Sequence, residues 1–338
     1  MDLMDRIEES SATPKYLQVV NAIISDIEAG VLKRGHRIPS INETSEMYYL
    51  SRDTIEKAYK VLRKRGVISS VKGKGCYISN TFASDKIRVL LLFNKLSAYK
   101  KTIYYAILKS LGEDAVVDLH IHHFDGKICE SLITDNIGRY DYFVIMPHFY
   151  HNAELALRSI KNIPQEKLLL LDKNIESYTG NCAAIYQDFE HDIRTALQSG
   201  QDLLQKYERI VLVYPKDVLY PVEIVKGFRC FCREAAFEHI VVSSMCDVQL
   251  KPKTVYITLE ESDLAEVIKK SRAQQMRLGK DIGVISYNDT PLKTILDSGI
   301  TVISTDHEKM GETAAHLMRH KLRDKIHNPF TLIRRNSL

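Results

Sequence analysis

Residues 40–78 read SINETSEMYYLSRDTIEKAYKVLRKRGVISSVKGKGCYI, and their order predicts a helix, a tight turn, a second helix and a basic hairpin. Ser40 and Glu43 have capping-box spacing. They open a short helix expected to carry Ile41, Thr44 and Met47 inward and to end near Tyr49. Leu50 fills the turn, and Ser51 caps the next helix. There Ile55, Ala58, Tyr59 and Leu62 recur at helical spacing as a buried stripe, which leaves Arg52, Thr54, Lys57 and Lys60 facing outward. Gly66 ends that helix. Residues 67–71 and 76–78 then form two short strands around Lys72-Gly73-Lys74-Gly75. Upstream, Thr13-Pro14 places a hydroxyl at an N-cap and proline at N1. The helix that follows aligns Leu17, Val20, Ile24 and Ile27 and stops at Gly30.

Charge is concentrated in the same place. Residues 51–75 hold 8 basic against 2 acidic side chains, whereas residues 1–50 hold 5 against 8 and everything after residue 80 is nearly balanced, at 34 against 33. A basic helix alone is usually a solvated face, and a glycine-rich turn alone is usually just a hairpin. In this order, within 40 residues, they describe a reader of duplex DNA. Phosphates supply most of the affinity, and the first turn of the inserted helix reaches base edges.

This segment resembles the GntR family of winged-helix transcriptional regulators. The matching residues are Pro14-Lys15-Tyr16-Leu17-Gln18, Ile23 and Ile27 followed by Gly30, Leu32 and Gly35, and Ile38-Pro39-Ser40. They continue through Ser51-Arg52-Asp53-Thr54-Ile55, Ala58, Leu62 and Gly66 to Gly73-Lys74-Gly75. The resemblance implies that Ser51, Arg52 and Thr54 touch the major groove or its phosphates and that the wing enters a minor groove. DNA contacts are expected from Lys15, Ser40, Asn42, Ser51, Arg52, Thr54, Lys57, Lys72, Gly73, Lys74 and Gly75. Asn42 stands where the family usually has arginine, and Glu56 where a basic residue is common, so base preference is expected to differ at those positions.

Residues 80–86 read as a polar linker between a winged helix-turn-helix at 1–79 and a body at 87–338. Along the body, ten apolar runs alternate with amphipathic stretches, from Ile87–Phe93 to Thr301–Ile303. That pattern predicts an α/β fold of two similar lobes with parallel sheets covered on both faces. The body resembles the periplasmic-binding-protein-like effector domain of LacI/GalR-type regulators. The resemblance rests on Leu168–Asp172, Ala184-Ile185-Tyr186-Gln187-Asp188, Lys226-Gly227-Phe228, Ile282–Asp289 and Thr301–Asp306 with Gly311. It implies a ligand held between lobes at the carboxyl ends of the strands, where open α/β sheets bind small molecules. The candidates there are Asn94, His148, Asp172, Asp188, Tyr220, Glu260, Asn288 and Thr305, with Tyr214 at another strand end. Ile224 stands where sugar-responsive members carry arginine, so Tyr220 or Glu223 takes over that role or the effector differs in shape.

Other patterns lead elsewhere. The six cysteines show neither a CxxC pair nor zinc spacing and suit a reducing compartment. The start of the chain lacks a signal-peptide pattern, and no apolar run approaches about 18 residues. A cytoplasmic location with no membrane partner is therefore expected. His120, His122 and His123 share a strand, and His316 and His320 lie one helical turn apart, without a third ligand type to make a metal site. No nucleophile elbow, P-loop or dinucleotide fingerprint is present. The expectation is a non-enzymatic, cofactor-free homodimer on a palindromic DNA operator, controlled by a neutral monosaccharide such as L-fucose or L-arabinose. A purine or nucleoside effector, or a sugar-binding or sugar-modifying enzyme with a basic N-terminal module, remain the alternatives.

Overall fold

The computed structural model describes residues 13–71, 74–79, 86–137, 139–175, 177–216, 220–246 and 248–338. The head contains α1 (Lys15–Glu28), β1 (Arg37–Ile38), α2 (Ile41–Tyr48), α3 (Arg52–Lys64), β2 (Ile68–Val71) and β3 (Gly75–Ile78). The three strands form an antiparallel sheet in the order β1-β3-β2, which is the wing with one strand more than the sequence announces. Ser40 and Glu43 form the anticipated capping box, and Ser51 caps α3. Ile55, Ala58, Tyr59 and Leu62 are fully buried against Val20, Ile24 and Ile27 of α1.

Two local expectations are corrected. Met47 stays 43% exposed and Tyr48 packs in its place. The phase of α2 is set by Thr44, whose hydroxyl lies 2.7 Å from Tyr59 Oη in the core, and the next residue on that face is four positions on. Helix α1 begins one residue later than expected, so Pro14 occupies the N-cap and no side chain caps the helix. The Thr13 hydroxyl instead donates to Asn162 Oδ1 in the body, at 3.2 Å.

The first lobe is built from β4 (Ile87–Phe93), α4 (Ala98–Leu111), β5 (Ala115–Ile121), α5 (Gly126–Asn136), β6 (Tyr142–Ile145), α6 (Ala153–Lys161), β7 (Leu168–Asp172) and β8 (Ala183–Tyr186). The second follows with α7 (Phe189–Ser199), α8 (Gln201–Leu204), β9 (Arg209–Val213), α9 (Glu223–Glu234), β10 (Glu238–Val242), β11 (Thr254–Thr258), α10 (Glu261–Ala273), β12 (Gly283–Tyr287), α11 (Pro291–Ile295) and β13 (Thr301–Thr305). The chain then returns to the first lobe with α12 (His307–His320) and β14 (Lys325–His327), and ends in the second with β15 (Phe330–Ile333). Each lobe has a six-stranded sheet, β14-β8-β7-β6-β4-β5 and β10-β9-β11-β12-β13-β15. The ten anticipated strands are all present. β14 and β15 are additional, and β15 runs antiparallel to β13, so the second sheet is mixed at one edge.

Apolar strands such as Val89–Phe93 and Leu168–Leu171 are buried on both faces, as parallel sheets between helix layers require. Helices α4 and α12 approach so closely that a Cβ on Gly311 would lie 2.6 Å from Ile103 O. Likewise, a Cβ on Gly227 of α9 would lie 2.2 Å from Glu190 O of α7. Glycine is needed at both crossings. The chain passes between lobes after β8, after β13 and after β14, and these three connections border a cleft. Among the described residues, no helix is long and apolar enough to cross a membrane.

Candidate functional site

The cleft contains a cavity of about 650 Å³, counting its open mouth. Asn94, His148, Asp172, Tyr220 and Asn288 line it, as their strand-end positions suggested. Asp172 and Asn288 both adopt left-handed backbone, with φ of 75° and 59°, a strained conformation that tends to persist at functional sites. The amide of Asn288 donates to Ile303 O at 2.8 Å. The buried Lys293 ammonium donates to the carbonyls of Tyr287 and Asn288 at 2.9 and 2.7 Å. These bonds hold the strained turn in place.

One wall of the cavity is polar. Asp172 accepts from His148 Nε2 at 2.9 Å and from Gln187 Nε2, and Lys100 Nζ donates to Asn94 Oδ1. Burial alone would raise the Asp172 carboxyl. The hydrogen bond and charge of His148, with Lys100 and Gln187, outweigh burial and hold it below the usual carboxylate range. Burial pulls the Lys100 ammonium down to about 8. Gln187 Oε1 is buried without a partner, an acceptor free for a ligand hydroxyl.

The remaining surface is aromatic. Phe124 and Tyr150 stack with centroids 4.1 Å apart, and Tyr99 lies against His307 at 5.0 Å. Burial raises the Tyr99 phenol to about 12 and lowers the His307 imidazole to about 4, so both are neutral at physiological pH. Tyr220 and Tyr287 close the second-lobe side together with Phe189. Tyr220 Oη donates to Glu260 Oε1 at 2.6 Å; burial and that carboxylate push the phenol pKa upward. Glu260 thus stands behind Tyr220 in an adjoining hollow. Ile224 lines the cavity, whereas Glu223 sits at the outer mouth near Lys173. Of the two residues proposed to replace the missing arginine, Tyr220 lines the cavity and Glu223 does not.

Tyr214, whose hydroxyl donates to the Tyr220 carbonyl, and two further candidates lie outside the cavity. The Asp188 carboxylate caps α7 by accepting from His191 N at 3.1 Å and does not line the cavity. Thr305 is 2% exposed and receives the Asn328 amide at 2.8 Å, within a connection between lobes. Gln187 and His307, one and two positions away, line the cavity instead. The sequence reading also missed Lys100, Phe124 and Tyr150. Only Lys100 carried a signal, since it falls at a core position of α4, where lysine is unusual.

On the head, Arg52, Lys57 and Lys60 are exposed along α3, and Asn42 is exposed on α2. Ser51 Oγ lies 2.8 Å from Thr54 Oγ1, and Lys57 Nζ sits 4.2 Å from the centroid of the Tyr16 ring. Lys15 is half-buried, Ser40 is engaged as a cap, and Lys74 and Gly75 lie on the wing. Lys72 and Gly73 fall outside the described residues. Arg37, not singled out from the sequence, lies along the wing with its Nε 3.1 Å from where a Cβ on Gly75 would stand. Lys64 and Arg65 extend the basic run in sequence but turn toward the body. Lys64 Nζ is 3.7 Å from Asp135, and Arg65 donates to backbone carbonyls of Thr134 and Ile137.

Residues 15–78 match the model for bacterial regulatory proteins of the gntR family, and residues 203–338 match that for a periplasmic binding protein-like domain. The arabinose metabolism transcriptional repressor of Geobacillus stearothermophilus is 32% identical, across 96% of this chain and 98% of that protein. Some other curated regulators match through the head alone, where the chain spans about 32% of their length. The trehalose repressor from Escherichia coli superposes on 74% of this chain and 100% of its own, with a TM-score of 0.60 at 17% identity. The Escherichia coli repressor ascG covers 75% of this chain and 99% of its own, with a TM-score of 0.61 at 13% identity. The chain thus belongs to the GntR family of transcriptional regulators, in the group that joins a DNA-binding winged helix to a periplasmic-binding-protein-like body.

Proposed function

We propose that this chain is a cytoplasmic repressor whose operator binding is controlled by a neutral monosaccharide, with a pentose or deoxyhexose such as L-arabinose or L-fucose as first candidates. The observation that carries the reading is the cavity's division into a hydrogen-bonding wall and an aromatic one. Asn94, Asp172, Gln187 and Asn288 can bridge hydroxyls, while Tyr99, Phe124, Tyr150 and Tyr287 offer apolar faces. A sugar ring presents hydroxyls at its edge and C–H groups on its face, so it complements both walls. The Asp172 carboxylate favours hydroxyl donors and repels a phosphate. The Lys100 ammonium is already directed at Asn94, and among the described residues no arginine lines the cavity. The relative similar along its whole length, an arabinose metabolism transcriptional repressor, supports this choice.

In this reading residues 1–79 bind DNA, 80–86 link and 87–338 sense. Arg52 and Thr54 read bases, with Lys57 and the wing lysines on phosphates. The working unit is a homodimer on a palindromic site, since one winged helix makes too few contacts for a selective operator. Leu292 and Ile295 of α11 are 59% and 75% exposed beside a groove lined by Leu264, Ile268 and Leu296, a surface suited to a second copy. Thermal-shift measurements with free pentoses, deoxyhexoses, sugar phosphates and nucleosides test the assignment. One free sugar should stabilise the protein by mass action, and Asn288→Ala should abolish that shift. Stabilisation by sugar phosphates or nucleosides alone would refute the sugar reading and leave the DNA-binding assignment intact.

A further inference from the structure

The contact between head and body involves one end of two helices whose other end borders the cleft. At the head, the Arg65 guanidinium follows directly on α3, the DNA-reading helix, and donates to Thr134 O at 2.6 Å and to Ile137 O. Those carbonyls end α5, where the helix leaves its last C=O groups without internal partners and carries partial negative charge. Burial in this contact pulls the Arg65 pKa down to about 10. Beside it, Lys64 faces Asp135 across 3.7 Å. Thr13 Oγ1 donates to Asn162, the residue that caps the C-terminal end of α6. The head therefore rests on the C-terminal ends of α5 and α6 together.

The N-terminal ends of the same helices form the cleft rim. Asp125 caps α5 and receives the Asn152 amide at 2.9 Å, and Asn152 occupies the N-cap position of α6 without capping it through its side chain. Gly126 N donates to His151 O at 2.9 Å, and Tyr150 N donates to Phe124 O at 2.8 Å. A Cβ on Gly126 would stand 2.0 Å from Asn152 O, so the two helix starts are in backbone contact. The segment so joined carries His148, which grips Asp172, and the stacked Phe124 and Tyr150, all of which line the cavity. From rim to latch, α5 spans 11 residues, about 16 Å of continuously hydrogen-bonded helix. Cys129, Ile133, Ala156 and Ile160 pack α5 and α6 into one buried layer.

We propose that Arg65 latches the winged helix to the first lobe in one pose, and that α5 and α6 act as paired struts carrying displacements of the cleft rim to that latch. A ligand that moves Phe124, His148 or Tyr150 pushes on the helix starts. The far ends then move the carbonyls holding Arg65, and α3 turns with them. The route runs through a single lobe and does not need the second lobe to touch the head. It rests on the reading of the cleft as the effector site. Its test uses no ligand, so a failed latch leaves the sugar assignment standing.

The test is a spin-label distance measurement on the full chain, with labels at Glu46→Cys on the head and Lys109→Cys on α4, in a background where Cys76, Cys230 and Cys246 are serine. The unaltered latch should give one narrow distance population. Arg65→Ala should broaden it, and Arg65→Lys, able to reach one carbonyl, should fall between. Asp125→Ala loosens only the cleft end of α5, about 16 Å from Arg65, and should also broaden the distribution. An equally narrow distribution for Arg65→Ala refutes the latch. A broad distribution for Arg65→Ala with an unchanged one for Asp125→Ala refutes the struts.

Discussion

Replacing Asp172 in two ways separates its charge from its shape. Asp172→Ala removes an acceptor from His148 Nε2 and from Gln187 Nε2 and strips the buried Lys100 of its nearest carboxylate. Breaking one side of such a buried polar cluster costs about 3–5 kcal/mol, because donors and a charge are left without partners. Asp172→Asn keeps the volume and one acceptor. Gln187 can rotate its amide so that its unpartnered Oε1 accepts from the new NH₂ group. Only the charge-assisted part is then lost, about 1–2 kcal/mol. For a body of this size, the alanine variant should lower the unfolding midpoint by on the order of 10 °C and the asparagine variant by a few degrees. The pH dependence adds a second reading. The folded-state carboxyl lies below its ordinary value, so its stabilisation is complete above the unfolded value of about 3.9 and is lost as pH falls through the folded one. The difference between the native protein and Asp172→Asn should therefore shrink as pH falls below about 4. Urea denaturation above and below that pH checks this. Equal stabilities for the two variants at pH 7, or a gap that fails to shrink below about pH 4, would refute the argument.

Arg52→Ala should weaken operator binding by about 1–3 kcal/mol and relax preference at one base pair, measured by titrating single-base operator variants. Lys74→Ala should weaken binding evenly across sequences and reduce the salt slope by about 1, which titrations at several ionic strengths would show. Because burial lowers the Lys100 pKa to about 8, the unfolded chain binds more protons between that value and the ordinary lysine range of about 10.4. Stability should rise across that interval relative to Lys100→Met, by up to about 3 kcal/mol, as read by urea melts at pH 8 and pH 10. Gly227→Ala should destabilise the second lobe by about 1–3 kcal/mol, since its Cβ meets the backbone of Glu190; a calorimetric scan checks it.

The head was legible almost residue by residue because its signals are local. A capping box, a four-residue stripe and two glycine stops each act within one turn of helix, and only Met47 and the start of α1 departed from them. The lobes were legible as alternating apolar runs. β14 and β15 were not, since three- and four-residue strands gain their identity only from the sheet edge that receives them. At the cavity, strand ends led to Asp172 and Asn288, which line it, but a shift of one or two positions decided whether Asp188 or Gln187, Thr305 or His307, does so. That choice depends on the turns between lobes, which a periodic pattern does not encode. Lys100 pairs with Asn94 inside an otherwise apolar helix face, a relationship that periodicity alone does not reveal.

The interlaced path of the chain has a consequence for biosynthesis. The head uses only residues from the first quarter of the sequence and can fold as soon as it leaves the ribosome. Neither lobe can do so. The sheet of the first awaits β14 and its helix layer awaits α12, while the edge of the second awaits β15. Both lobes are therefore completed only once residues 307–333 have been made. A chain cut short before residue 307 would present a finished winged helix on two unfinished lobes.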